Sequence, residues 1–374
     1  MLLFADDLTG AGDSALGFVK RGITASVLLE KEEHGAELTT ALLALVTHTR
    51  ALDAAQARQR MEAIACLHTF DGRVLFHKVD SAGRGNPGVE MAVLAEVSGC
   101  DAIVYAPAYP SAGRVVRNGR LCVNDFCGQS TEIDLAELIP LTHHAQVRNL
   151  PRGTVESLRQ RIAAENFGER KIWICDAESE GDLDNLVSAA SSLPLRILWS
   201  GSAGLAAAVA DQMAADAKLN KPVRELPRSE GSTLVISGTD HPVTLAQIGA
   251  LSGRAVAFSI DELESIPEFE IGLAILDWKR ACAETIRDFW KRLHLSDRAP
   301  VSALVLTGGD TAAFVLEALG ASVLEIGGEV EEGIPWSIVR GGAASGAVAI
   351  TKSGGFGSKA SLNRIADFCQ RMKR

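Results

Sequence analysis

Short apolar runs recur along almost the whole chain, each ending in a polar turn that leads into a longer stretch with helical spacing. A run too short for a helix and bounded by turn residues reads as a strand buried on both faces. In the first part such runs predict strands at Ala25–Leu29, Leu42–Val46, Val74–Val79, Ala102–Ala106, Lys171–Cys175 and Arg196–Trp199, after an apolar opening from Met1 to Ala5. Between them, Ala54–Leu67 and Val89–Val97, rich in Ala, Met, Leu and Glu, predict helices. A second series follows at Leu234–Ser237, Ala255–Ile260, Leu273–Leu276, Ala303–Leu306, Val323–Ile326 and Ala347–Ile350. Strands alternating with helices predict an α/β fold built on mainly parallel sheet with flanking helices.

The rhythm breaks at Asp216–Ser232, where two prolines, several charges and a Gly-Ser end mark a linker. At 374 residues the chain also exceeds the size at which one hydrophobic core stops growing. Two domains are therefore expected, residues 1–222 and 223–374, each with its own sheet.

Composition narrows the class. Hydrophobic residues at 47% and charged residues at 22% describe a globular chain. A net charge of -10 argues against a general nucleic-acid binder, which needs a basic surface to neutralise phosphates. No apolar run approaches the span of a bilayer, and no basic segment with a long apolar core opens the chain, so no membrane partner and a cytoplasmic location are expected. The seven cysteines form no CxxC pair and read as packed thiols. A homodimer is expected only as the commonest oligomer of soluble enzymes.

Candidate chemistry sits where strands end. Phe4–Asp13, FADDLTGAGD, puts Asp6 and Asp7 at a strand's C-terminal end before a glycine turn, the place where open α/β sheets bind ligands. Asp7 or Thr9 serves equally as a cap for the following helix. In His77–Gly88, HKVDSAGRGNPG, Lys78, Asp80 and Arg84 come close together; Arg84 suits a two-pronged grip on a carboxylate, and an internal ion cluster is the competing reading. Ala106–Arg114, APAYPSAGR, brings Arg114 on a third loop, followed by Asn118-Gly119. Trp199–Leu205, WSGSAGL, fits either an anion at a helix N-terminus or close packing of helix on sheet.

Three more glycine loops follow strands in the second part: Ile236–Thr244, Leu306–Thr311 and Thr351–Gly357. Gly308-Gly309 before a helix can set main-chain N–H groups against phosphates, with Lys352 as a nearby point charge. Neither GxxxxGK[ST] nor a dinucleotide GxGxxG with its acid occurs. His143-His144 cannot face one metal ion from a helix and read as structural or surface histidines. His241, inside the first of these loops, can contact a ligand.

The ordered set resembles the four-carbon acid sugar kinase family, formerly grouped as a domain of unknown function, whose members phosphorylate threonate, erythronate or 3-oxo-tetronate with ATP. The resemblance runs through ADDLTGAGD, KVDSAGRGN, APAYPSAGR, CDAESEGDL, SGSAGLA, TGGDT, GIPWS and TKSGGFG, nearly the whole chain. It implies an acid-sugar-binding N-terminal domain, a nucleotide-binding C-terminal domain and an active site in the cleft between them, working with ATP and Mg²⁺. It implies sugar contacts at Asp6, Asp7, Lys78, Asp80, Ser81, Arg84 and Arg114. Nucleotide contacts are implied at Gly308, Gly309, Asp310, Thr311 and Gly354, with Thr239 and His241 in the adjoining loop. Two motifs depart from the family: Ser81-Ala82-Gly83-Arg84-Gly85 stands for Ser-Thr-Leu-Arg-Gly, and Gly238-Thr239-Asp240-His241-Pro242 for Gly-Ser-x-Ser-Pro. Position at the start of the chain separates Thr9–Asp13 from the similar late turn of ribokinase-like kinases.

The expected reaction is transfer of the ATP γ-phosphoryl group to a terminal hydroxyl, with Asp7 as the carboxylate that takes the proton and Asp80 or Asp6 as alternatives. Two other classes remain open: a non-catalytic sensor of sugar acid or nucleotide, marked by binding without product, and an NAD-dependent dehydrogenase, marked by preference for NAD over ATP.

Overall fold

A computed structural model describes residues 1–29, 40–70, 72–124, 130–140, 146–165, 169–218, 225–260, 268–295 and 300–373. By its contacts the chain divides into two units, Met1–Ile23 with Ala41–Asn220 and Thr24–Thr40 with Lys221–Arg374. The second boundary falls beside the expected division at 222. The first does not follow from it: residues 24–40, assigned from sequence to the N-terminal domain, belong by contact to the second unit. His143-His144, Cys127 and the middle of the expected linker, 219–224, lie outside the described residues.

The first unit opens with β1 (Leu2–Ala5) and α1 (Leu8–Val19); β2 (Ala25–Leu28) goes to the other unit. It continues with β3 (Leu42–Val46), α2 (Ala54–Ala65), β4 (Leu75–Lys78), α3 (Pro87–Ser98) and β5 (Ala102–Ala106). Next come β6 (Arg114–Arg117), β7 (Arg120–Asn124), β8 (Ser130–Asp134), β9 (Val147–Leu150), α4 (Val155–Ala163), β10 (Lys171–Cys175), α5 (Glu180–Ser191), β11 (Ile197–Gly201) and α6 (Ala203–Ala217). Its main sheet runs β3-β1-β4-β11-β5-β10-β9, with every one of these pairs parallel. Parallel strands covered on both faces need apolar residues throughout, and β1, β5 and β10 are buried at every position. The small antiparallel sheet β6-β7-β8 was not expected. Its first hairpin turns at Asn118 and Gly119, both with positive φ, the geometry that Asn-Gly favours.

The second unit contains β12 (Ser232–Ser237), α7 (Pro242–Leu251), β13 (Val256–Ser259), β14 (Ile271–Ile275), α8 (Ala283–Leu295), β15 (Val301–Thr307) and α9 (Gly309–Ala318). It ends with β16 (Val323–Glu331), β17 (Ile334–Arg340), β18 (Val348–Lys352) and α10 (Ser361–Arg371). Its strand order is β13-β14-β12-β15-β18-β17-β16-β2. The first five are parallel, whereas β18-β17, β17-β16 and β16-β2 are antiparallel. The expectation of a mainly parallel sheet holds in both units. The core of the second unit gathers Val235, Leu273, Val305, Trp336 and Ile350 from the sheet with Ile365 and Phe368 from α10.

Candidate active site

In the first unit, β1, β3 and β4 lie side by side and parallel, so the loops after them leave the sheet at one end. Asp6 and Asp7 follow β1, Arg50 follows β3, and Lys78 closes β4 ahead of Asp80 and Arg84. Arg50, which the sequence reading did not single out, organises the group. Its Nε and Nη2 donate to the two oxygens of Asp6 at 2.8 and 2.7 Å, and its Nη1 donates to Asp7 Oδ2 at 2.8 Å. Asp80 Oδ1 lies 3.8 Å from the same guanidinium. The signal that could have found it is positional: Thr47-His48-Thr49-Arg50 ends a predicted strand just as Asp6-Asp7 does.

Asp7 caps the following helix, one of the readings offered for it, and also joins the cluster around Arg50. Its Oδ1 accepts the Gly10 N–H at 2.8 Å and caps α1, while its Oδ2 accepts the Thr9 hydroxyl at 2.7 Å beside Arg50. A Cβ on Gly10 would stand 2.5 Å from Asp7 Oδ1 and 3.0 Å from Lys78 Nζ, so only glycine lets the turn close this tightly. Lys78 is buried and donates to the Val79 carbonyl at 2.7 Å. Arg84 grips Asp80 with Nε and Nη2 at 2.7 and 3.0 Å, the ion cluster foreseen as the alternative for this loop. Asn86 ties the loop to the carbonyls of Thr49 and Leu52. Ser81 is half-buried on the same loop.

Burial and charge pull these groups apart. Burial pushes the Asp6 carboxyl up, against the opposing pull of Arg50 and Lys78. Burial acts on Asp80 in the same sense, but the Arg84 hydrogen bonds and the fields of Arg50, Arg84 and Lys78 outweigh it and hold that carboxyl well below the usual range. Arg50 loses hydration, yet its carboxylates hold it firmly protonated. Arg114, at the start of β6, has its affinity for a proton lowered, first by burial, despite the field of Asp80. Its Nε is buried without a hydrogen-bond partner among the described residues. Such a donor costs stability unless a ligand takes it.

The Trp199–Leu205 segment resolves as close packing. Ser202 caps α6 through the Gly204 N–H and donates to the Ala108 carbonyl at 2.5 Å, and a Cβ on Gly201 would lie 2.3 Å from the Ala106 carbonyl. Beneath, buried His77 joins Ser200 at 3.0 Å and Glu90 at 2.8 Å, fixing the start of α3 to the sheet.

In the second unit, the loops after β12, β15 and β18 converge on Thr239. A Cβ on Gly308 would be 3.2 Å from Thr239 Cβ, and one on Gly354 would be 2.8 Å from Thr239 Oγ1. Gly308 has φ +101°, a left-handed conformation that starts α9 at Gly309. Thr311 is buried in the first turn of that helix, its hydroxyl 2.7 Å from where a Gly238 Cβ would stand, while Asp310 is exposed. His241 caps α7, its Nδ1 accepting the Val243 N–H at 3.2 Å. Two helix N-termini and three glycine loops thus present main-chain donors around one threonine, an arrangement suited to phosphates.

Lys352, expected as a point charge near the ligand, is turned into its own loop. It is fully buried, and its ammonium donates to Thr244 Oγ1 at 3.1 Å, the Ser353 carbonyl at 2.9 Å and the Phe356 carbonyl at 3.3 Å. An ammonium has three N–H donors, and the loop consumes all of them. Thr244 passes the tie on to the Gly354 carbonyl at 2.7 Å. Burial lowers the lysine to about 8, against the pull of Glu331.

Among the described residues, no helix is long and apolar enough to cross a membrane, and no cluster of three His, Cys, Asp or Glu side chains could hold a metal ion. The family model of a sugar-binding N-terminal domain matches residues 1–209, and that of a nucleotide-binding C-terminal domain matches residues 262–362. The chain is 32% identical to a D-threonate kinase of Cupriavidus necator, over 96% of each chain. It is 28% identical to a 3-oxo-tetronate kinase of Pseudomonas fluorescens, over 95% of this chain and 94% of that one. A crystal structure of a Haemophilus influenzae protein matches the fold with a TM-score of 0.74 at 18% identity, covering 100% of both chains.

Proposed function

The chain belongs to the four-carbon acid sugar kinase family, and we propose that it transfers the γ-phosphoryl group of ATP to the terminal hydroxyl of a four-carbon acid sugar, D-threonate being the first substrate to try. The observation that carries this reading is the cluster at the ends of β1, β3 and β4. Three carboxylates and two arginines of opposite sign are held there in fixed orientation within the sugar-binding domain. Such a surface matches a small molecule that carries both hydroxyls and a carboxylate.

In this reading Asp7 receives the acceptor hydroxyl. Its side chain is 18% exposed, against 4% for Asp6 and 10% for Asp80, and both of its oxygens are already oriented by Gly10, Thr9 and Arg50. Phosphoryl transfer through a loose transition state asks for placement more than for a strong base, so a carboxylate held in a fixed orientation suffices. Arg114 and Arg84 take the carboxylate of the sugar acid, which would fill the open donor on Arg114 Nε. Asp6 and Asp80 fix the arginines, and Lys78 and Ser81 complete the polar surface.

The nucleotide phosphates lie against the N–H groups of Gly308, Gly309 and Thr311, with Thr239, His241 and Gly354 shaping the loop. Mg²⁺ takes one or two carboxylates together with substrate phosphates and keeps several waters. Exposed Asp310, in the phosphate loop, is a donor of that kind, and the ion would neutralise charge on the phosphates. Lys352 acts indirectly, by holding the third loop in shape. The dehydrogenase alternative finds no support in the nucleotide-binding domain or in the kinase relatives.

A coupled ADP-release assay with MgATP against D- and L-threonate, D- and L-erythronate and 3-oxo-tetronates, with mass detection of product, tests the reading. One phosphorylated acid is the expected result. Binding of ATP and acid without product from any of them would replace the kinase by the sensor.

A further inference from the structure

One aromatic side chain beside the phosphate loops has no role in the account above. Trp278 follows β14 and is 46% exposed, whereas the other four tryptophans, 173, 199, 290 and 336, are at most 5% exposed. Its placement is not loose. The indole Nε1 donates to the Gly238 carbonyl at 2.5 Å, and the ring packs against Phe314 of α9 with centroids 5.6 Å apart. The polar edge is therefore spent on the loop after β12, while nearly half of the side chain's surface stays open to solvent.

The strand order fixes what lies next to it. β14 is the parallel neighbour of β12 on the side opposite β15, and Leu276 N–H bonds the Ser237 carbonyl, so the loops carrying Gly238 and Trp278 leave the sheet together. The indole nitrogen would be 3.0 Å from a Cβ on Gly238, on the same side as Thr311 Oγ1 at 2.7 Å. The phosphate-binding donors of Gly308 and Thr311 thus have the β18 loop on one side and an exposed aromatic wall on the other. Phosphates fill the glycine loops; a planar, weakly hydrated group of the same ligand needs an apolar face beside them.

We propose that Trp278, backed by Phe314, is the stacking platform for the purine base of the bound nucleotide. The assignment rests on the nucleotide-binding reading of this unit and adds to it the residue that distinguishes a nucleotide from a bare polyphosphate. Trp278 touches no reacting atom, so it sets nucleotide affinity and leaves the chemical step alone.

Acrylamide quenching of tryptophan fluorescence tests this in the unaltered protein, because Trp278 is the tryptophan a solvent quencher reaches. MgADP is expected to shield it, and magnesium tripolyphosphate, which carries phosphates without a base, is expected to bind without shielding. By calorimetry Trp278→Ala should bind MgADP roughly ten- to hundredfold more weakly, with tripolyphosphate affinity unchanged and Trp278→Phe largely restoring the loss. Shielding by tripolyphosphate equal to that by MgADP, or equal MgADP affinity in the alanine variant, would overturn the platform while leaving the kinase reading in place. Failure of the wild-type protein to bind either ligand would remove the nucleotide reading itself.

Discussion

The buried ammonium of Lys352 makes opposite demands on stability and on nucleotide binding, and pH separates them. Its proton affinity is set at about 8 in the folded protein, against an ordinary 10.5. Between those values the unfolded chain holds the proton and the folded chain does not, so stability contributed through this group rises with pH. At pH 9.5 the gain relative to neutral pH is about 2 kcal/mol, from roughly 1.4 kcal/mol per pH unit over the interval above 8. Over the same interval the amine drops from three donors to two, and one of the ties to Thr244, Ser353 or Phe356 must be given up. The KM for ATP should therefore climb above pH 8 while kcat with saturating ATP holds. Lys352→Met should show a high KM for ATP at every pH, about tenfold or more, as expected for loss of a charge-assisted hydrogen bond. Urea unfolding of wild type and Lys352→Met between pH 7 and 9.5 measures the first effect as a difference, in which other titrating groups cancel; steady-state kinetics measures the second. A pH-independent difference in stability would show that Lys352 does not titrate there. A collapse of kcat at unchanged KM would place its ammonium on the reacting phosphates and refute the positioning role.

Arg50→Ala should destabilise the first unit by about 3 kcal/mol, because Asp6 would remain buried without its two-pronged partner, and Arg50→Lys should recover only part of that; thermal melts of the two variants decide it. Asp7→Asn preserves a helix cap of nearly equal quality, so α1 should stand while kcat falls by about 10² or more and the KM for ATP stays put. Turnover within a factor of two of wild type in that variant would take the acceptor role from Asp7.

The strand ends were legible because parallel strands buried on both faces write themselves as unbroken apolar runs, and ligands gather where those runs stop. That reasoning found Asp6, Asp7, Lys78, Asp80 and Arg84 on one surface. It passed over Arg50, whose run ends in the bland Thr47-His48-Thr49, and only the Asp6 pairing reveals why an arginine belongs there. β6 and β7 escaped notice because each offers only a short apolar stretch bounded by arginine, although Asn118-Gly119 is a hairpin signal in its own right. The burial of Lys352 was hidden for a different reason: no spacing rule tells whether a lysine at a strand end points outward or folds back to fill its own loop. Pairing partners were hidden as well, since the pattern that predicts β2 says nothing about which strand it will join.

The pairing of β2 sets an order of events during synthesis. β2 pairs with β16 through Ser26–Leu28 and Val323–Glu325, segments nearly 300 residues apart in the chain. At roughly 5–20 residues per second, the ribosome delivers β16 some 15–60 s after β2 has emerged. During that wait the sheet of the first unit can assemble around β1, β3 and β4, yet the apolar residues of β2 have no native partner from their own unit. The sheet of the second unit cannot close on β2 before β16 appears, which makes that interval the point at which a chaperone, or another nascent copy, is best placed to intervene.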